Sequence, residues 1–92
     1  MPDTELPKIL VVDDRTQNLV ALRDILEDSE AELITAASGN EALALTVKHE
    51  FALVLLDVQM PGMDGIEVAT LMRMVDETMH IPIIFITAYD KG

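Results

Sequence analysis

The chain has no cysteine and no tryptophan, and its aromatic side chains are one tyrosine and two phenylalanines. Without cysteine there are no disulfides and no thiolate metal sites, which points to a cytoplasmic setting. Basic residues are scarce: 6 Lys and Arg stand against 17 Asp and Glu, for a formal charge of −11. Phosphate backbones need a basic face, so the balance argues against direct nucleic-acid binding by this segment. Long apolar stretches are missing too. The longest are about six residues, against roughly 20 for a membrane span. Met1 to Pro7 is polar and acidic, without the basic and apolar regions of a secretory signal. Most of the carboxylates serve to keep a surface hydrated. Those at the ends of apolar runs need a separate account.

The 92 residues suffice for one small domain, and half of them are apolar, so a packed core is within reach. Three near-continuous apolar runs stand out: Ile9 to Val12, Ala52 to Leu56 and Ile83 to Ile86. Short runs without strict alternation suit strands buried on both faces of a parallel sheet. Glu32 to Ala36 alternates better and reads as an edge strand. Helical patterns lie between the strands. Leu19, Leu22, Ile25 and Leu26 recur at helical spacing over Thr16 to Glu27. Ser38 with Glu41 predicts a capping box, after which Ala42, Leu43, Leu45 and Val47 supply an apolar face. Asp64 with Glu67 is a second start signal, and Ile66, Val68, Ala69, Leu71, Met72 and Val75 carry a third helix. The order is β-α-β-α-β-α-β, without repeats or a linker. Strict alternation predicts an α/β fold, a doubly wound parallel sheet with helices on both faces and right-handed crossovers. Residues 1–7 read as a flexible N-terminal tail and residues 8–92 as one domain, its first strand through its fourth.

In open α/β sheets the ligand site lies beyond the carboxyl ends of the strands. There the sequence places Asp13 and Asp14 after Val12, Asp57 after Leu56, and Thr87 after Ile86. Taken singly, each has a plain explanation: Asp13-Asp14 could open a helix, Asp57 could form an Asx turn, and Thr87 says almost nothing. Their occurrence on three separate strands is what points to a site. Close carboxylates repel one another and either share protons or bind a cation. Hard oxygen donors favour Mg²⁺, and Mg²⁺ held by few carboxylates usually also meets a phosphate. Met60-Pro61-Gly62-Met63-Asp64-Gly65 follows Asp57. Pro-Gly predicts a tight turn that directs the Gln59 carbonyl towards the metal, and Gly65 allows close approach at the start of the third helix.

Taken together, Val12-Asp13-Asp14, then Leu56-Asp57-Val58-Gln59-Met60-Pro61-Gly62-Met63-Asp64-Gly65, then Ile86-Thr87-Ala88 resemble the signature of two-component response-regulator receiver domains. The match runs in order from residue 8 to the end, and the set is specific where any single piece is not. The resemblance implies a flavodoxin-like, chemotaxis-receiver-like fold of strand order 2-1-3-4-5. It also implies a phospho-acceptor switch. Asp57 would accept a phosphoryl group from a sensor histidine kinase or a histidine phosphotransfer protein. Asp13, Asp14, Asp57 and the Gln59 carbonyl would hold Mg²⁺. Thr87 would act as the switch, and the Ala88 amide would contact the phosphoryl group. Such a domain is no enzyme beyond its own phosphorylation and dephosphorylation.

The chain departs from the family pattern at its end. The family's final helix-strand-helix part, with an invariant lysine after the fifth strand, has no counterpart before Gly92, and Lys91 lies in the wrong place for that role. The expected consequences are an open edge at the fourth strand and a tendency to homodimerise. Two other functions compete. One is an Mg²⁺-dependent phosphohydrolase working through an aspartyl-phosphate, but its second acid is replaced by Gln59. The other is a pseudo-receiver interaction module that is never phosphorylated. The methionines read as core filler. His49 and His80 read as surface residues outside the site, and Tyr89 as a shield of the site or a loop residue.

Overall fold

A computed structural model describes residues 6–86; Thr87, Ala88, Tyr89 and Lys91 lie outside the described residues, as does most of the tail. The elements are β1 (Lys8–Val12), α1 (Thr16–Ile25), β2 (Glu32–Ala36), α2 (Gly39–Lys48), β3 (Leu53–Asp57), α3 (Gly65–Arg73) and β4 (Ile83–Ile86). The four strands form one parallel sheet in the order β2-β1-β3-β4. This is the order expected for a doubly wound sheet, with β1 and β3 at its centre.

The two faces of the sheet are unequally covered. Leu10, Val12, Val54 and Leu56 point to one face and are fully buried with Ala42, Val68 and Met72 of α2 and α3. No residue of α1 belongs to that core, and none of α1 is buried. On the α1 face, Val11 is covered, Leu53 and Leu55 are half-buried, and Ile84 is exposed.

Both capping signals operate, with one difference. Asp64 and Glu67 form the full reciprocal box at the start of α3. The Ser38 hydroxyl accepts from the Glu41 amide at 3.1 Å, but the Glu41 carboxylate accepts from the Ala37 amide at 2.8 Å. The second half of that box is shifted one residue outward, with the same effect of closing an orphan donor.

Two helices are shorter than the apolar periodicity predicts. α1 ends at Ile25 and α3 at Arg73. The chain after α3 is held by hydrogen bonds that divert it from the helical path. The Thr78 hydroxyl donates to the Met72 carbonyl at 2.7 Å, and the Arg73 guanidinium donates to the carbonyls of Met79 and Ile81, each at 2.9 Å. Five expected core positions lie at the surface: Val75, beyond the end of α3, and Ile25, Val47, Ile66 and Leu71, which stand on the helices but away from the sheet. The methionines divide as well. Met60 and Met72 are buried as expected, whereas Met74 and Met79 sit beyond the end of α3 and are exposed.

Candidate functional site: an acidic pocket at the carboxyl edge of the sheet

The register of the two central strands builds the site. Val12 pairs with Leu56, so the next residues, Asp13 and Asp57, leave the sheet level with each other. The Asp13 amide still bonds the Ala36 carbonyl at 3.1 Å, and Val58 bonds Ile86 at 3.2 Å, so both aspartates are fixed by sheet bonding on their outer sides. Asp13, Asp14 and Asp57 each present a carboxylate oxygen within 4.8 Å of the other two.

The three aspartates differ in setting. Asp13 is 2% exposed, and both its oxygens are engaged: Oδ1 accepts from the Arg15 amide at 2.9 Å and Oδ2 from the Asn18 side chain at 3.0 Å. The helix-opening explanation for this residue is thus partly realised, because Arg15 is the N-cap of α1 and has no side-chain cap of its own. Asp14 is exposed. Asp57 is 6% exposed; its Oδ1 accepts from the Gln59 amide at 3.3 Å, and Oδ2 accepts no hydrogen bond among the described residues. Burial pushes the Asp57 carboxyl above its ordinary pKa, and the charge of Asp13 adds to this, with a smaller push from Asp14. The Gln59 amide and the Arg15 guanidinium pull the other way without cancelling it. This is the electrostatic signature of a pocket short of positive charge.

The loop after β3 contains the tight turn and the close approach that its glycines predict. Gly62 has φ of +75°, the left-handed conformation that a Pro-Gly turn requires. Gly65 comes so close to β3 that a Cβ there would overlap the Asp57 carbonyl oxygen, and its amide bonds the Val58 carbonyl at 2.9 Å. The start of α3 is thereby clamped to the residue that carries the central carboxylate.

Hard, anionic oxygens at this spacing suit a small divalent cation. Mg²⁺ takes oxygens at about 2.1 Å, so ligands on opposite sides of it lie about 4.2 Å apart. Oxygens within 4.8 Å need only a small contraction to meet that distance. Asn18 and Arg15 are the site residues that sequence reasoning missed. Asn18 lies five residues beyond Asp13, inside the first turn of α1, where its spacing carries no motif of its own. Thr87 and Ala88 follow directly on Ile86 but lie outside the described residues.

An open parallel sheet of this order with an acidic pocket at its carboxyl edge defines a doubly wound, flavodoxin-like domain. Within that class, residues 9–92 match the response regulator receiver domain family, and the chain belongs to it. It is 39% identical over 85 residues to the polar-differentiation response regulator DivK of Brucella anthropi, covering 91% of this chain and 69% of that protein. Among solved structures it is similar to chemotaxis protein CheY4 of Vibrio cholerae, at 34% identity and a TM-score of 0.85, covering 95% of this chain and 72% of that one. The response regulator TrrA of Thermotoga maritima, solved in complex with Mg²⁺-BeF, is 38% identical with a TM-score of 0.83, covering 92% and 72%. The chain spans about two thirds of the length of the curated relatives it matches. No helix among the described residues is long and apolar enough to cross a membrane.

Proposed function

We propose that this receiver domain is a phospho-acceptor switch in which Asp57 takes a phosphoryl group from a phosphohistidine of a sensor kinase or a histidine phosphotransfer protein. The observation that carries the reading is the convergence of Asp13, Asp14 and Asp57 at the carboxyl edge of the sheet. Asp57, at the end of the central strand β3, is the buried member with an open oxygen; Asp13 has both oxygens engaged and Asp14 is exposed. Asp13, Asp14, Asp57 and the Gln59 carbonyl are the residues that would hold Mg²⁺. When bound, Mg²⁺ neutralises charge on the phosphoryl oxygens and on the carboxylates around them. TrrA, which was solved with Mg²⁺-BeF, is a relative at 38% identity and so supports the same site here.

The transfer itself asks little of the protein beyond position. An oxygen of Asp57 forms a bond to phosphorus while the bond from phosphorus to the histidine nitrogen breaks, and the nitrogen keeps the electron pair. With a proton carried on the other ring nitrogen of the phosphohistidine, the products are an acyl phosphate and a neutral imidazole. Such a step depends on in-line geometry and charge compensation rather than on acid–base help. Asp13 contributes by being fixed through Arg15 and Asn18. Asp57 contributes by being held from behind by Gly65. Thr87 and the Ala88 amide would then meet the transferred group and pass a conformational shift to an output in the cytoplasm. Self-dephosphorylation by water would be the domain's only turnover.

The test is incubation with acetyl phosphate and Mg²⁺ followed by intact-mass analysis. One phosphoryl group, stable in acid and labile in base, is expected on the protein and absent from Asp57→Asn. Equal labelling of Asp57→Asn would overturn the assignment.

A further inference from the structure

The few basic residues of this acidic chain are unevenly placed in the fold. Lys8 opens β1, and Arg23, Lys48 and Arg73 stand in the last turns of α1, α2 and α3. Each helix runs back against the direction of the strands, so these residues all lie towards the amino edge of the sheet. Among the described residues, Arg15 is the one Lys or Arg at the carboxyl edge, where the acidic pocket is. The fold does not need a guanidinium there. Arg15 is the N-cap of α1, and its part in that cap is played by its backbone. The amide donates to Asp13 Oδ1 at 2.9 Å, and the carbonyl accepts from the amides of Asn18 and Leu19 at 3.0 and 3.3 Å. Any residue with a backbone amide supplies the same bonds.

The side chain, by contrast, is uncommitted. It is exposed, and among the described residues its guanidinium makes no hydrogen bond and no ion pair, although Arg15 directly follows two of the three pocket carboxylates. Arg73 differs in this: its guanidinium is engaged by the Met79 and Ile81 carbonyls. The Arg15 charge nevertheless reaches the pocket, since it is the one basic group that lowers the Asp57 pKa. Phosphoryl transfer leaves work for such a group. Ionised Asp13, Asp14 and Asp57 outweigh one Mg²⁺ by a single negative charge, and the incoming phosphoryl group is itself an anion. A guanidinium stays charged at any working pH and presents N–H donors in a planar fork that matches two phosphoryl oxygens.

We propose that the Arg15 side chain binds the phosphoryl group in transit, donating to its oxygens as it reaches Asp57 and staying on them in the phosphorylated protein. The inference rests on the reading of Asp57 as the phospho-acceptor and adds to it the protein group that meets the donor's charge. Arg15 is then a contact to substrate and not a prop for the metal, and the two roles have opposite signatures. A cation beside the pocket repels Mg²⁺, so its removal leaves Mg²⁺ binding as strong or stronger while the phosphoryl group loses a partner. A residue that merely held the pocket together would weaken both on removal.

The test measures initial rates of labelling by acetyl phosphate, and Mg²⁺ affinity by thermal shift, in the parent and in Arg15→Ala, Arg15→Lys and Arg23→Ala. Acetyl phosphate brings no protein surface, so an effect on its rate belongs to the phosphoryl group and not to a docking kinase. A hydrogen bond to a charged group is worth roughly tenfold to a hundredfold, and Arg15 is exposed, so a loss of about tenfold is expected in Arg15→Ala. Its Mg²⁺ affinity is expected to equal or exceed the parent's. Arg15→Lys keeps the charge without the fork and is expected to label at a rate between the two. Arg23→Ala removes the same charge at the amino edge and is expected to label as the parent does. The proposal is overturned if Arg15→Ala labels as fast as the parent, if it binds Mg²⁺ more weakly, if Arg15→Lys labels no faster than Arg15→Ala, or if Arg23→Ala slows labelling as much. A parent that is not labelled at Asp57 overturns the phospho-acceptor reading as well; a labelled parent with an equally fast Arg15→Ala overturns this inference alone.

Discussion

Replacing Gly65 by alanine tests how the fold holds the site. The added methyl group would overlap the Asp57 carbonyl oxygen and lie 2.9 Å from its carbonyl carbon and 3.0 Å from the Cα of Val58. All three are backbone atoms at the end of a central strand, so no flexible side chain is available to yield. Carbon normally sits about 3.3–3.6 Å from a carbonyl oxygen, so α3 and the end of β3 must part by a distance on the order of 1 Å. The 2.9 Å bond from Gly65 to the Val58 carbonyl stretches, and the Asp57 carboxylate moves with its own carbonyl. Overpacking of this kind costs about 1–3 kcal/mol. Misplacing a reacting group by about 1 Å costs roughly a hundredfold in rate. Gly62→Ala is the matched control. Its φ of +75° makes alanine unfavourable by about 1–2 kcal/mol, but nothing lies within 4 Å of the new methyl group. The two variants should therefore melt at similarly lowered temperatures yet differ in chemistry. Gly65→Ala should label slowly with acetyl phosphate and bind Mg²⁺ weakly, and Gly62→Ala should do both normally. Parent-like labelling and Mg²⁺ affinity in Gly65→Ala would refute the claim that this contact sets the position of Asp57.

Mg²⁺ should raise the melting temperature, because it relieves repulsion among three carboxylates that meet only in the folded state. At ten times its dissociation constant the gain is about 1.4 kcal/mol, or roughly 6–11 °C for a domain of this size; Asp14→Ala should lose most of that shift in a thermal scan. In metal-free solution the folded protein holds a proton on Asp57 at pH values where the unfolded chain has lost it, since burial and Asp13 raise its pKa. Stability should then fall as pH rises from the ordinary carboxylate range through the raised value, and stay lower above it. Asp57→Asn should accordingly be the more stable protein at pH 7 and should lack that decline, as denaturant titrations would show. A polypeptide of these 92 residues should self-associate through the edge of β4, where Ile84 and Phe85 are exposed, and more so as salt screens its charge; sedimentation velocity should show Ile84→Lys to be more monomeric than the parent.

The strands and the site were legible for the same reason. β1 and β3, at the centre of the sheet, are buried enough to need near-continuous apolar residues, so a carboxylate directly after them stands out against the pattern; β4 carries an equally apolar run although Ile84 and Phe85 are exposed. The in-register pairing of Val12 with Leu56 then brings Asp13 and Asp57 together without further information. The glycines were legible through the backbone: Gly62 by its turn, Gly65 by the approach it permits. Helix ends were less so. Apolar periodicity runs on through Val75, but the chain leaves the helix at Arg73, where the Thr78 hydroxyl donates back to the Met72 carbonyl and Arg73 donates forward to the carbonyls of Met79 and Ile81. Nothing local in the sequence announces those bonds, which span six and eight residues.

The same failure of periodicity separates two uses of apolar residues in this fold. Val68 and Met72 lie on the inner side of α3 and are sealed against the sheet; Leu71 and Met74, one and two positions away from Met72, are exposed and face a groove between α2 and α3. A helix between a sheet and water has only one side that the core requires, and an apolar residue elsewhere needs another reason. On the α1 face, the half-buried Leu53 and Leu55 and the exposed Ile84 continue a row that Val11 begins. Such residues are the extension of one sheet face. Between α2 and α3 the exposed residues come instead from two helices that have already met their sheet. The first pattern is what a packing element would cover; the second lies outside what the sheet requires of its helices.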